Sequence, residues 1–158
     1  MAERAVAPVV GVMTMVLITI VLAALVGGML FGVELDDPPE ASIAADAGYN
    51  TTTGQTHVEL THLAGDRLDM GTLTVRISVS GERLEHQPPV PFFSATGFES
   101  GPTGPFNSGA SETTWTVGEQ AGFTIAGSND PVPQPGWEIT IRLFADGYSV
   151  ATAQTTIR

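Results

Sequence analysis

Few side chains in this sequence have the type and spacing to do chemistry. His57 and His62 lie five apart in Thr56-His57-Val58-Glu59-Leu60-Thr61-His62. The alternation of that segment predicts a strand, on which residues an odd number apart face opposite ways, so the two imidazoles cannot share a metal without distortion. His62 shares the parity of Val58 and Leu60 and is expected to hydrogen-bond or cap the turn that follows. Gly97-Phe98-Glu99-Ser100-Gly101 is not a nucleophile elbow, because its serine stands one position late. Asp66 and Asp69 lack the further carboxylates of a calcium loop. No phosphate-cradling glycine loop precedes a helix. A sequence without cysteine has no disulfide, thiolate metal site, iron–sulfur cluster or cysteine nucleophile. The expectation is a protein that is not an enzyme, with no catalytic residue, no metal and no cofactor. One modification motif is present: Asn50-Thr51-Thr52 is the sole N-glycosylation sequon, in a Gly/Thr-rich loop, and makes Asn50 the candidate acceptor.

The element that organises the rest is at the start. Arg4 is followed by an uncharged apolar run from Ala5 to Val33, and the next charge is Glu34. A helix of about 25 residues from this run would reach ~38 Å, enough to cross a ~30 Å hydrocarbon core. In lipid the backbone must satisfy its own hydrogen bonds, so helix is the expected state despite the many Val and Ile residues. Pro8 falls in the first turn, where a missing N–H costs little. Arg4 places the N-terminus in the cytoplasm by the positive-inside tendency and the remainder, from Glu34 onward, outside. Small residues recur at four-residue spacing, Thr19, Ala23 and Gly27 in one row and Ala24, Gly28 and Gly32 in the adjacent one. Such rows let helix backbones approach closely in apolar surroundings.

Arg4-Ala5-Val6-Ala7-Pro8-Val9-Val10-Gly11-Val12, followed by Met13-Thr14-Met15-Val16, resembles the N-terminus of archaeal type IV pilins, especially those of halophiles. Ala7 stands where that family usually has Ser, Val10 where it usually has Ile, and Ala5 where the residue before the cut is commonly Gly. The resemblance implies a class III signal peptide, cut by a membrane prepilin peptidase between Ala5 and Val6. The apolar helix would then stay on the mature protein, unlike the discarded core of a secretory signal. It further implies assembly, through that helix, with copies of the chain or with other pilins in a surface filament that serves adhesion. The glutamate near the fifth mature position of bacterial pilins is absent, with Val10 in its place.

Beyond Val33 the composition changes. Glu34-Leu35-Asp36-Asp37-Pro38-Pro39-Glu40 combines like charges with a proline pair and reads as an extended linker. From Ala41 to Arg158 the hydrophobic period is two. Leu73, Val75, Ile77 and Val79 alternate with polar residues, as do Val58 and Leu60, and Trp137, Ile139, Ile141 and Leu143. Ala121–Ala126 and Trp115–Val117 are shorter strand candidates, and Asp146-Gly147 is a two-residue hairpin turn into Tyr148–Ile157. The expected organisation is a leader (1–5), an assembly and transmembrane helix (6–33), a linker (34–40) and an extracellular antiparallel β-sandwich of immunoglobulin-like size (41–158). Val58–Asp69 is similar to a strand–turn–strand passage that follows the helix in many halophilic pilins. Five prolines and four phenylalanines crowd the stretch from His86 to Ser111, which is too long for an ordinary connection and is expected to be functional or poorly ordered, its phenylalanines packing over a sheet edge rather than touching a neighbouring subunit.

Charge excludes one class of partner. Seventeen acids oppose six basic residues, all of them Arg, for a net charge of −11 and a pI near 4.3. A chain that bound nucleic acid would need clustered positive charge. Acids scattered over a lysine-free surface resemble those of halophilic proteins. The rival to a filament subunit is a single-span, membrane-anchored β-sandwich that binds a partner and does not polymerise.

Overall fold

A computed structural model describes residues 6–31 and 37–158, in two compact units that meet in sequence at Asp37–Pro38. The first unit contains one helix, α1 (Val6–Phe31).

The second unit is all β, and its strands follow the side-chain alternation. One sheet has the order β1-β2-β7, from β1 (Ala41–Asn50), β2 (Gln55–Gly65) and β7 (Gln120–Ile125). The other has the order β5-β4-β8-β9, from β4 (Leu73–Val79), β5 (Glu82–Arg83), β8 (Glu138–Ala145) and β9 (Tyr148–Thr156). A small ribbon pairs β3 (Leu68–Asp69) with β6 (Thr114–Trp115). Every named pairing is antiparallel. Inward residues of the three-stranded sheet (Val58, Leu60, Phe123, Ile125) and of the four-stranded sheet (Val75, Ile77, Ile139, Ile141, Leu143) are fully buried in one core. The three-plus-four arrangement matches the expected sandwich.

The turn chemistry is legible residue by residue. Asp146 and Gly147 both have positive φ, 51° and 86°, as a two-residue hairpin that matches strand twist demands. Arg158 closes the sandwich at β1: its N–H donates to Ala47 O, its carbonyl accepts from Tyr49 N–H, and its guanidinium pairs with Asp46.

Two expectations shift. Trp137 precedes β8 rather than belonging to it and is 40% exposed, because the turn at Gly136 (φ 84°) delivers the chain to the sheet only at Glu138. Val117 lies outside β6 and is exposed, in the turn that ends at Gly118 (φ 91°). The stretch from His86 to Ser111 packs on the sandwich, as expected of its phenylalanines, and is not poorly ordered. Its backbone bridges β7 through Phe98 to Ile125 and Thr103 to Gly122, which covers that sheet edge. Phe92, Phe98 and Phe106 are buried: Phe98 meets Phe92 and Phe123 edge-on, and Phe106 meets Trp115 edge-on and stacks on Phe123, whereas Phe93 is 62% exposed.

Candidate assembly surface

In α1 the segment Pro8–Gly28 is uncharged, contains an 18-residue window with a mean hydropathy of 2.8, and is long and apolar enough to cross a membrane. Its aliphatic side chains are exposed on every turn, Val12, Met15, Leu17, Leu22 and Leu25 among them. A helix apolar all round is stable only in lipid or against other apolar helices. Its two described hydroxyls need no outside partner: Thr14 Oγ1 donates to Val10 O and Thr19 Oγ1 to Met15 O, each at 2.8 Å. That back-bonding suits a segment with no water to offer.

The small residues occupy one side. At about 100° per residue, Ala23, Ala24, Gly27 and Gly28 fall within roughly 140° of the helix circumference, and Thr19 adjoins them. Ile18, Val21, Leu22, Leu25 and Val26 fill the opposite side. Over residues 21–28 the helix therefore presents a shallow face backed by a bulky one, and Ile20 stands at the middle of the small-residue arc one turn earlier. The space where a Cβ would stand on Gly27 or Gly28 is open, so a neighbouring helix could approach the backbone there. Four-residue spacing revealed the rows in the sequence; projecting the bulky residues onto the same helix would have revealed the opposed face too. Val6 opens the helix, while Ala5, its partner in the expected processing site, and Gly32, the last member of the second row, lie outside the described residues.

The remaining candidates sit in the β unit and are not brought together. Asn50, exposed at the end of β1, accepts through Oδ1 from the N–H of Thr52 at 2.9 Å and of Thr53 at 3.3 Å. Its amide nitrogen has no partner among the described residues. His57 is exposed, with Nδ1 3.2 Å from Thr124 Oγ1. His62 is buried within β2 near its end, with Nε2 3.2 Å from Ala64 O of the same strand and its ring edge-on to Trp115 at 5.5 Å, a structural placement just before the turn. The two histidines thus face opposite ways. Ser100 lies exposed in a bend. Among the described residues no three His, Asp or Glu side chains gather where they could hold a metal.

Asp66 and Asp69 organise backbone. Asp66 Oδ2 accepts from Glu40 N–H at 3.1 Å while Asp66 N–H donates to Glu40 O at 2.8 Å. Asp69 Oδ1 accepts from Gly71 N–H at 2.7 Å. Gly65 makes the first contact possible, since its φ is 106° and a Cβ there would lie 2.2 Å from Glu40 O. The turn after β2 therefore grips the chain at the point where it enters the sandwich.

Comparison with known proteins bears first on the N-terminal segment. Residues 4–47 match the family described as archaeal type IV pilin, N-terminal, so the resemblance drawn from Arg4 to Val16 holds and runs through the helix and linker into β1. A protein of Archaeoglobus fulgidus described only as uncharacterized is 36% identical over 81 residues, which is 49% of this chain; the match spans about half (55%) of that relative's length. The archaellum periplasmic stator protein FlaG from Sulfolobus acidocaldarius superposes with a TM-score of 0.38 at 17% identity, over 73% of this chain and 97% of that one.

Proposed function

We propose that the chain is a pilin-like structural subunit of a surface filament and not an enzyme. A prepilin peptidase cuts between Ala5 and Val6, and the mature helix waits in the membrane with the β-sandwich outside the cell. On assembly the helix exchanges lipid for neighbouring helices. Both surroundings are apolar, so the exchange turns on packing rather than on the hydrophobic effect. The observation that carries this reading is the two-sided helix segment of residues 21–28. A shallow face on one copy receives the bulky face of the next, a heterologous contact that propagates instead of closing on itself. The matched pilin segment supports the same reading. The acidic sandwich then coats the filament, where it sets adhesion and tolerance of high salt.

Intact-mass measurement on protein sheared from cells tests the proposal. The expected result is a mature species that begins at Val6, recovered in high-molecular-weight fibres. Recovery only as a membrane-bound monomer with Met1–Ala5 attached would favour the anchored binding module instead. Gly28→Leu, which fills the shallow face, should abolish fibres while leaving membrane insertion intact.

A further inference from the structure

Half of the six arginines in this acidic chain stand together on the outer face of the four-stranded sheet. Arg76 on β4 and Arg142 on β8 are direct cross-strand partners, and Arg83 on β5 lies opposite Ser78, one outward position further along β4. All three are exposed, and with Ser78 and Phe144 they line a depression of roughly 190 Å³. Among the described residues the one ion pair is Arg158–Asp46, so none of the three arginines has an acidic partner there. Like charges directly opposite across a ladder are destabilising, and an isolated domain gains nothing from such a pair.

The other outer face carries the complement. On the three-stranded sheet Asp46 of β1 and Glu59 of β2 are likewise direct cross-strand partners. Asp46 is held by Arg158, whereas Glu59 accepts from the neutral Gln120, whose Nε2 donates to its Oε1 at 2.9 Å, and has no ion-pair partner among the described residues. An Arg–Arg pair and an Asp–Glu pair, each of direct cross-strand partners, thus stand on opposite sides of a single sandwich. We infer that Arg76, Arg142 and Arg83 form a docking surface for the Asp46–Glu59 face of a second copy of this chain. The contact is face to back, and so, like the helix packing, it extends without closing. This inference rests on the filament reading and adds to it a specific contact between outer domains.

The absence of cysteine gives a clean test. Thr74→Cys on the basic face and Ala44→Cys on the acidic face place exposed thiols beside the two pairs, on opposite sheets. Fibres of the full chain carrying both substitutions, treated with a short thiol cross-linker, should give a ladder of dimers, trimers and longer species. Each single substitution should leave monomers. Arg76→Gln with Arg142→Gln on that background should lower the ladder yield about tenfold without lowering the domain's melting temperature. Fibres without a ladder, dimers from Thr74→Cys alone, or a ladder unchanged by the glutamine pair would each overturn the contact. If the glutamine pair kept the ladder but lost retention on immobilised alginate, the arginines would be assigned to an acidic polysaccharide instead. Absence of wild-type protein from fibres would remove the filament reading itself, a result distinct from fibres that fail to cross-link.

Discussion

Gly65 and Asn50 show how single residues of the β unit divide between holding the fold and meeting the outside. At Gly65 two requirements coincide, a left-handed φ of 106° and a backbone carbonyl where a Cβ would go. Gly65→Ala should therefore cost roughly 2–4 kcal/mol, measured as a drop in denaturant midpoint. Gly81 shares the left-handed conformation (φ 82°) but has open space around it, so Gly81→Ala should cost only about 1 kcal/mol. Equal losses at the two sites would mean that the grip on Glu40 contributes nothing. Asn50 offers a different separation. Its carbonyl oxygen holds the turn through the N–H groups of Thr52 and Thr53, leaving its amide nitrogen for a glycan. Thr52→Ala keeps that N–H and removes the hydroxyl that the sequon requires. The mass of protein from its native source should then fall by one glycan, with stability changed by less than about 0.5 kcal/mol. An unchanged mass would show that Asn50 carries no glycan.

At the scale of elements, the aromatic cover formed by the stretch from His86 to Ser111 is the part whose energetics separate most clearly. Phe106 is fully buried between Trp115 and Phe123, whereas Phe93 points to solvent. Phe106→Ala should cost about 3–5 kcal/mol, and Phe93→Ala should lie within about 0.5 kcal/mol, by chemical denaturation. Comparable losses would place Phe93 in the packing and contradict its exposure. The alternation of Leu73–Val79 and of Ile139–Leu143 made β4 and β8 legible in the sequence, as Asp146-Gly147 did their hairpin to β9. β1 was not, because its inward positions are mostly alanine (Ala41, Ala45, Ala47) and an outward one is alanine too (Ala44), so size hardly alternates. β9 hides a bulge: Leu143 pairs with Ala151 but Phe144 with Ser149, which buries Val150 and Ala151 in succession and breaks the period of two. Which phenylalanine of the cover would face outward was set by its backbone bridges to β7, a non-local pairing that leaves no periodic trace. The helix rows were legible from spacing alone. The arginine patch was not, because its members come from β4, β5 and β8 and meet only through sheet register.

For the molecule as a whole, the two units answer to different solvents. Every side chain of the sandwich core comes from residues within Pro38–Arg158, and the turn at Gly65–Asp66 fastens the chain at Glu40, inside that unit. Apart from the back-bonded Thr14 and Thr19, the described side chains of α1 are apolar and exposed on all sides, so its stability depends on lipid or on other helices. Removing residues 1–37 should therefore leave a sandwich that unfolds cooperatively within about 3 °C of the full chain in detergent, a shift worth less than ~1 kcal/mol for a domain of this size. The same truncation should move the protein from the detergent phase to the aqueous phase and out of fibres. A fall of more than about 5 °C would show that the core draws stability from the N-terminal unit. Retention in fibres would show that contacts between sandwiches suffice for assembly, with the arginine face and the Asp46–Glu59 face the first surfaces to substitute.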